Sequence, residues 1–452
     1  MILGSDPLRL QEIGESLRAW ASAQLVWLNG HKASVVELAW CGPDAARLTP
    51  LWSVAITQLA TVLEELLAAA DRLREHAVEQ KRASAADLPQ VSAAEIPELP
   101  HGPAAVADWW RTLTPEQREH LLRTKPWMVG NADGIPLLVR DEANRRVLDA
   151  WLAGNESMRA RFEAVMAPGV LLLAFDPRGD GRAAVSFGNP QTSRSVVAFV
   201  PGVGNDLTTL PSVISDARAL RPDDRTAAIA WLGYDTPPSP TDLWRWHDVL
   251  SGAGETRARE GADEFRRFSA GLDIESWQRY SVVGHSYGSV VAMYAAQGGQ
   301  LPQVDNLVLV GSPGARPFNS QESLDLADHQ KLYTMAARGD FVAGYYGDWI
   351  PGHARGNDAV APLGVAQALI TTTRYPTDAG FGGERMSTEP WGEALLRAEG
   401  HSEYFNPGTG SLANLHRVVN GLAPGLRVGD GEDLRGVYRG VLGEVRERAL
   451  GG

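Results

Sequence analysis

Cysteine is nearly absent from this sequence, and long runs of basic residues do not occur. The single cysteine among 452 residues, Cys41, rules out an intramolecular disulfide and argues against a cysteine-based metal site. The ten histidines include no H-x-x-x-H pair, and we expect neither a metal nor a cofactor. The net charge of −13, with no run of five or more lysines and arginines, disfavours a nucleic-acid or anionic-membrane partner.

Long apolar runs are also missing. No stretch approaches the roughly 18 unbroken apolar residues of a membrane span. The start MILGSDPLRLQEIGESLRAW has no basic n-region, and Asp6, Glu12 and Glu15 interrupt any apolar core, unlike a Sec-type signal peptide. We therefore expect a soluble protein of the cytoplasm, unless an export route other than Sec carries it.

The length exceeds the usual limit of one hydrophobic core, which predicts two domains. Residues 1–82 are predicted to form a helical hairpin domain. Its second helix, from Leu51, lacks glycine and proline and carries one apolar stripe: Leu51, Ile56, Leu59, Val62, Leu66 and Leu73. Residues 83–104, rich in alanine and proline, predict a linker, and 105–452 a second domain with a helical N-terminal extension. The pattern T-P-E-Q from Thr114 to Gln117 predicts a capping box at the start of a helix.

From about residue 170, short apolar runs alternate with helical patterns. A predicted hairpin over 170–188 is followed by five such runs: SVVAFV (195–200), TAAIAWLG (226–233), YSVVG (280–284), NLVLVG (306–311) and KLYTMAA (331–337). Aliphatic runs of this length between helices predict an α/β fold, with a mostly parallel sheet and helices on both faces.

The stretch VVGHSYGSVV contains a G-x-S-x-G pentad around Ser286. A buried strand precedes the serine and a helix follows it, which is the context of a nucleophile elbow. Glycine at 284 and 288 has a physical reason, because side chains there would collide with the neighbouring strand and helix. The alternative is a glycine-rich crossing without chemistry, and the strand, turn and helix together favour the nucleophile.

A nucleophilic serine requires a base and a group that orients the base, each following a strand. Asp340 ends the strand KLYTMAARGD and is the predicted acid, ahead of Asp348, which lies well past the strand. His401, in a loop before the last helix, is the predicted base. His353 and His416 are the alternatives, and His416 lies within a helical pattern.

The oxyanion hole of such a site needs two backbone N–H groups. Tyr287, directly after the serine, is one predicted donor. The loop VPGVGND supplies the second, from Val203 or, as the next choice, Gly204. The G-x-G of this loop does not complete a dinucleotide fingerprint, because position 207 is leucine.

The 61 positions between the acid and the base predict a cap insertion around residues 341–400. Aromatic residues in this segment and in the loop over 231–248 are candidates for an apolar acyl pocket, although each alone has packing as its commoner role. They are Trp231, Tyr234, Trp244, Trp246, Tyr345, Tyr346 and Trp349.

The chain resembles the serine α/β-hydrolase superfamily, and more narrowly an actinobacterial hydrolase family formerly described as a domain of unknown function. The resemblance covers about residues 105–425 and rests on GNADGIPLLVRDEANR (130–145), VPGVGND, VVGHSYGSVV, LVGSPG, ARGD and HSEYFNPGTGSLAN. It implies the α/β-hydrolase fold, with Ser286, Asp340 and His401 as catalytic triad. The hairpin resembles W-x-G substrates of type VII secretion through Trp40 to Gly42, although the tyrosine of their export motif is missing, since no tyrosine precedes residue 234.

These observations predict a serine esterase or lipase that takes an acyl ester or lipid-like small molecule. Amidase, thioesterase and acyltransferase chemistry use the same groups and stay open. The alternative from another class is an interaction protein with an inert hydrolase domain. The hairpin would then bind a protein partner or a second copy of itself.

Overall fold

The computed structural model describes residues 43–86, 96–238, 253–314, 317–318, 320–337, 340, 342–343, 376–377, 381–388 and 401–424, with some residues between 13 and 28. The chain divides into two compact units. One comprises Met1–Pro97 with Thr114–Gln117, and the other Glu98–Leu113 with Arg118–Gly452. Within the described residues, no helix has the length and apolar character needed to cross a membrane.

The first unit is helical. Residues between 13 and 28 are helical where they are described, and helix α1 runs from Pro43 to Ala86. It begins at Pro43 rather than at the predicted Leu51, because proline is well suited to the first position of a helix. It also extends into the segment predicted as a linker, whose other end, from Pro103, begins the next helix.

The buried face of α1 differs from the predicted stripe. Ile56, Leu63, Ala70 and Ala77 are buried, at intervals of seven residues, which is two helical turns. By contrast, 45% of Leu59 and 49% of Val62 is exposed, so including them in the stripe was wrong. A stripe of leucine, isoleucine and valine alone misses the small alanines that let helices approach closely.

In the described part of the chain, four further helices lie between α1 and the sheet: α2 (Pro103–Thr112), α3 (Pro115–Thr124), α4 (Pro126–Gly130) and α5 (Leu137–Ala153). The capping box at the start of α3 is confirmed. The Thr114 N–H donates to Gln117 Oε1 at 2.9 Å, and the Gln117 N–H donates to Thr114 Oγ at 3.2 Å. A 3₁₀ segment, Glu156–Met166, leads from α5 into the sheet.

An eight-stranded sheet forms the centre of the second unit. Its strands are β1 (Val170–Asp176), β2 (Arg182–Phe187), β3 (Ser195–Val200), β4 (Thr226–Leu232), β5 (Arg279–His285), β6 (Asn306–Val310), β7 (Lys331–Met335) and β8 (Glu384–Arg385). The order across the sheet is β1-β2-β4-β3-β5-β6-β7-β8. Pairs β1–β2 and β2–β4 are antiparallel and the others are parallel. The predicted strands and the mostly parallel sheet are confirmed, whereas β8, within the segment predicted as a cap, was missed.

Both faces of the sheet are covered by helices, as predicted. They are α6 (Leu210–Ala219), α7 (Ala253–Ala270), α8 (Tyr287–Ala296) and α9 (Gly410–Val419). Strand β3 shows the division: Val196 and Ala198 pack in a core with residues of α7 and α8, while Val197 and Phe199 pack in a second core with residues of α6 and α9. Because alternate side chains point to opposite faces, a strand covered on both sides reads as a continuous apolar run.

The outer edge of β1 is occupied by side chains instead of another strand. The Asn131 amide donates to the Phe175 carbonyl at 2.9 Å and accepts the Phe175 N–H at 3.0 Å. Asp141 accepts the Leu172 N–H at 2.6 Å, and Asn144 donates to the Leu172 carbonyl at 2.9 Å. The segment GNADGIPLLVRDEANR thus satisfies backbone groups that an exposed edge would leave open to other chains.

Candidate active site

Ser286 lies on a sharp turn between β5 and α8. Its φ of 54° and ψ of −131° are strained for a residue other than glycine. The flanking glycines make the turn possible: a Cβ at Gly284 would lie 2.6 Å from the Ser289 Cα, and one at Gly288 would lie 2.1 Å from the Val200 carbonyl oxygen. The predicted collisions at both positions are confirmed.

Backbone hydrogen bonds hold this turn in place. The Ser286 N–H donates to the Val310 carbonyl at 2.9 Å. The Ser286 carbonyl accepts from the Ser289 N–H at 2.9 Å and from the Ser289 hydroxyl at 2.6 Å. The Ser289 hydroxyl oxygen also lies 2.8 Å from the hydroxyl oxygen of Ser312. Because these groups are buried, the bonds are protected from exchange with water and offset the strain of the turn.

Asp340 and His401 form a buried pair. The Nδ1 of His401 lies 2.9 Å and 2.8 Å from the two carboxylate oxygens of Asp340. The Tyr404 hydroxyl donates to Oδ2 at 2.6 Å, and the N–H groups of Val342 and Ala343 donate to Oδ1 at 2.9 Å and 3.1 Å. Burial would raise the pKa of Asp340, but the charge and hydrogen bond of His401, with the bonds from Tyr404 and Ala343, outweigh it and hold that pKa below its ordinary value. Asp340 is therefore a carboxylate at neutral pH.

A second histidine adjoins this pair. The Nε2 of His285 lies 2.7 Å from the His401 carbonyl oxygen, and the two rings are 4.8 Å apart between centroids. Burial, and secondarily the charge of His401, lowers the pKa of His285 to about 3, so the ring is neutral. Since a carbonyl oxygen only accepts, the proton of this neutral ring is on Nε2.

The three predicted triad residues gather around the end of β6. Ser286 bonds to Val310, the last residue of that strand. The next residue is Gly311, where a Cβ would lie 2.9 Å from Asp340 Oδ2 and 3.1 Å from His401 Cε1. Glycine at 311 is therefore needed for the backbone to pass so close to the histidine and the carboxylate, and its φ of 58° is also one that glycine favours.

The loop after β3 lies against the serine. A Cβ at Gly202 would be 2.7 Å from Ser286 Cβ and 3.1 Å from its Oγ. Of the two predicted donors in this loop, Gly204 already donates its N–H to the Pro237 carbonyl at 2.7 Å, which leaves Val203 as the better candidate. Tyr287 begins α8, and an N–H in the first turn of a helix has no acceptor within that helix.

The remaining predicted residues fall into two groups. Trp231 and Tyr234 are buried and stack on each other with centroids 5.8 Å apart, so both contribute to the core beside the site. His416, an alternative base, lies in α9, where its Nε2 is 2.6 Å from the Ala219 carbonyl oxygen. Seven candidates lie outside the described residues: Trp244, Trp246, Tyr345, Tyr346, Asp348, Trp349 and His353.

Four residues around the site were not predicted from the sequence to have a role in it. They are Tyr404, Gly311, His285 and Ser289. Tyr404 and Gly311 occur in stretches that the resemblance singled out, and His285 occupies the variable position before the serine. The contacts of Tyr404, Gly311 and His285 join residues far apart in sequence, so local pattern alone could not assign them. Ser289 instead bonds to Ser286, three positions away.

The strand order, the helices on both faces and the strained serine after β5 define the α/β-hydrolase fold. The model of a protein family described as alpha/beta hydrolase matches residues 176–346, which include Ser286 and Asp340. An uncharacterized protein of Mycobacterium tuberculosis (strain ATCC 25618 / H37Rv) is 28% identical over 376 residues, covering 71% of this chain and 56% of the relative. A second uncharacterized protein of that strain is 33% identical over 167 residues, covering 32% of this chain and 59% of the relative. The chain spans just over half the length of these relatives.

Solved structures of hydrolases are similar at low identity. A dienelactone hydrolase from Anabaena variabilis is 16% identical, with a TM-score of 0.29, covering 54% of this chain and 92% of that one. The esterase LipW from Mycobacterium marinum is 20% identical, with a TM-score of 0.21, covering 41% of this chain and 71% of that one.

Proposed function

We propose that the protein is a serine hydrolase that cleaves carboxylic esters through an acyl-enzyme. Ser286 Oγ attacks the ester carbonyl while His401 takes its proton, and His401 then donates that proton to the departing alkoxide. In the second half, His401 removes a proton from water, the hydroxide attacks the acyl group, and the proton returns to Ser286. Asp340 orients the imidazole and stabilises its positive charge in both halves.

The observation that carries the proposal is the contact between His401 Nδ1 and the buried Asp340 carboxylate, at 2.8 Å. A carboxylate only accepts, so a neutral His401 has its proton on Nδ1, and its basic lone pair is then on Nε2. This tautomer is the one that a general base needs in a serine hydrolase. The strained turn at Ser286 supports the same function, because strain of this kind clusters at sites of chemistry.

The negative oxygen that forms during attack needs preorganised donors. We assign this role to the N–H of Tyr287, at the start of α8, and to the N–H of Val203, next to the glycine that contacts Ser286. Both are backbone groups, so their use costs no side-chain ordering. The helix N-terminus also favours negative charge.

The test combines active-site labelling with a substrate series. A fluorophosphonate probe should label the wild-type protein and not Ser286→Ala, while Ser212→Ala, an exposed serine of α6, should be labelled normally. Esters with acyl chains from short to long, and matched amides and thioesters, would then define the substrate class. No labelling of the wild type would favour the inert interaction protein.

The base is tested in the same assay. His401→Ala should lower turnover by several orders of magnitude with folding intact, because nucleophile and base act as one unit. His416→Ala and His353→Ala are the matched controls and should retain activity. Activity retained in His401→Ala but lost in His353→Ala would show that His353, and not His401, is the general base.

A further inference from the structure

In the loop after β3, the side chain of Asn205 has no role in the proposed mechanism but binds two carbonyl groups of the same loop. Its Nδ2 donates to the carbonyl oxygens of Gly202 at 3.0 Å and Val203 at 3.2 Å. Its Oδ1 accepts from the Thr209 hydroxyl at 3.3 Å. Because both carbonyl oxygens only accept, the face of the amide toward them must be the NH₂ group.

These bonds fix the direction of the Val203 N–H. In a trans peptide the C=O of one residue and the N–H of the next point in opposite directions. Holding the Gly202 carbonyl on the Asn205 side therefore turns the Val203 N–H to the other side. The peptide that carries the proposed oxyanion donor is the one whose carbonyl Asn205 binds.

The alternative orientation of this peptide would be harmful to the proposed reaction. Gly202 packs against the Ser286 side chain and has no Cβ of its own, so its peptide can rotate at little steric cost. A rotated peptide would turn the Gly202 carbonyl oxygen toward the developing oxyanion and withdraw the N–H. The repulsion between two negative oxygens would then replace a hydrogen bond.

Asn205 itself is held by the segment after β4. The Thr236 hydroxyl donates to the Asn205 carbonyl at 2.8 Å and accepts the Asn205 N–H at 3.1 Å. The Gly204 N–H donates to the Pro237 carbonyl at 2.7 Å, and the Tyr234 hydroxyl donates to the Pro201 carbonyl at 2.6 Å. The backbone of Asn205 is thus anchored, which gives its amide a fixed position from which to hold the loop.

We infer that Asn205 is a positioning residue that keeps the oxyanion hole formed, by holding the Gly202 and Val203 carbonyls away from Ser286. This inference rests on the proposed function. It assigns to one side chain the preorganisation that the backbone of a glycine-containing loop cannot supply by itself.

The experiment compares Asn205→Asp with Asn189→Asp in the full chain. Asp at 205 keeps the acceptor for Thr209 but replaces both donated hydrogen bonds with carboxylate–carbonyl repulsion. Asn189 uses only its Oδ1, which accepts the Gln191 N–H at 2.9 Å, and aspartate retains that bond. Loss of one oxyanion donor costs about 10²–10³ in kcat, so Asn205→Asp should lose at least about tenfold in kcat with KM little changed, and Asn189→Asp should match the wild type.

A second measurement separates positioning from folding. A trifluoromethyl ketone forms a negative hemiketal oxygen on the serine, so its affinity should fall with kcat/KM in Asn205→Asp, while the affinity for the alcohol product stays the same. Asn205→Ala removes the same donors without a charge and should show the same split if the aspartate variant does not fold.

The outcomes are distinguishable. If the wild type hydrolyses esters and both Asn205 variants retain kcat, Asn205 has no positioning role and the proposed function stands. Equal losses of transition-state analogue and product binding would reduce Asn205 to a structural residue. A wild type that neither hydrolyses esters nor reacts with a fluorophosphonate would overturn the proposed function and this inference with it.

Discussion

His285 donates its Nε2–H to the backbone carbonyl of His401 at 2.7 Å, so the residue before the candidate nucleophile supports the candidate base. The pKa of His285 is about 3 in the folded chain, because the ring is removed from water, and about 6.5 in an unfolded chain. Between these values the unfolded state binds one more proton at this position. The contribution of neutral His285 to the free energy of unfolding is therefore fully present above about pH 6.5. It falls as the pH is lowered toward 3, by about 1.4 kcal/mol per pH unit.

The first prediction is that His285→Gln weakens this acid sensitivity. Glutamine can keep a donor toward the His401 carbonyl and does not titrate. Between pH 6.5 and pH 5 the wild type should lose about 2 kcal/mol more unfolding free energy than the variant, measured by urea denaturation. His329→Gln, an exposed histidine that contacts the Pro302 carbonyl, is the control. Parallel pH curves in the variant and the wild type would show that His285 is not the source of the acid sensitivity.

The second prediction concerns Tyr404 and Asp340. Tyr404→Phe removes the 2.6 Å bond to the carboxylate and leaves the Ala337 N–H without the acceptor that it has at 2.7 Å. A hydrogen bond to a charged group contributes about 1.5–3 kcal/mol, so the free energy of unfolding should fall by about that amount at pH 7. The pKa of Asp340 should rise, since one of the groups that lowers it is gone.

Thermal and urea unfolding measure the stability, and ester turnover measures the effect on the pair. Tyr294→Phe is the matched control. The Tyr294 hydroxyl donates to the Glu255 carboxylate, with 3.0 Å between the two oxygens, and this bond is not part of the candidate site. If Tyr404→Phe and Tyr294→Phe cost the same stability, the bond to Asp340 contributes no more than an ordinary one.

Much of the fold could be predicted because a strand buried on both faces is a short, continuous apolar run. In this way β3, β5 and β6 were predicted from the runs SVVAFV, YSVVG and NLVLVG. The last strand, Glu384–Arg385, has two charged residues and no apolar run, so only its pairing with Tyr333 and Thr334 reveals it.

In the candidate site, too, the features that are local in sequence could be predicted and the long-range contacts could not. The turn at Ser286 is local, since its two glycines and the strand and helix around it are neighbours in sequence. The support for His401 is not local, because His285 lies 116 positions away and Asp340 61 positions away. Sequence position after a strand indicated Asp340, but nothing in the sequence indicated that His285 would contact His401.

The third prediction tests the outer edge of β1. Asn144→Ala should destabilise the second unit by about 1–3 kcal/mol, because the Gly130 and Leu172 carbonyls would each lose a buried donor. Asn155→Ala is the control, since Asn155 donates only to the nearby, partly buried Trp151 carbonyl. Urea denaturation compares the two. An exposed strand edge also promotes association between chains, so Asn144→Ala should form larger species on mild heating, measured by light scattering, and Asn155→Ala should not.

The last prediction concerns the N-terminal unit. Its helix α1 exposes apolar side chains along its length, with 53% of Val54 and 47% of Val78 accessible as well as Leu59 and Val62. None of the candidate catalytic residues lies in this unit. A chain that begins at Glu98, where the second unit starts, should therefore stay soluble, keep its fluorophosphonate labelling and ester turnover, and lose any self-association of the full chain. Labelling and molecular mass in solution, compared with the full chain at equal concentration, measure these three properties.

Replacing the exposed Val54 and Val78 by serine in the full chain is the matched control, because it should abolish self-association without touching the sheet. An insoluble or unlabelled fragment would show that the second unit needs the first to fold, and the division at residue 98 would then have no functional meaning.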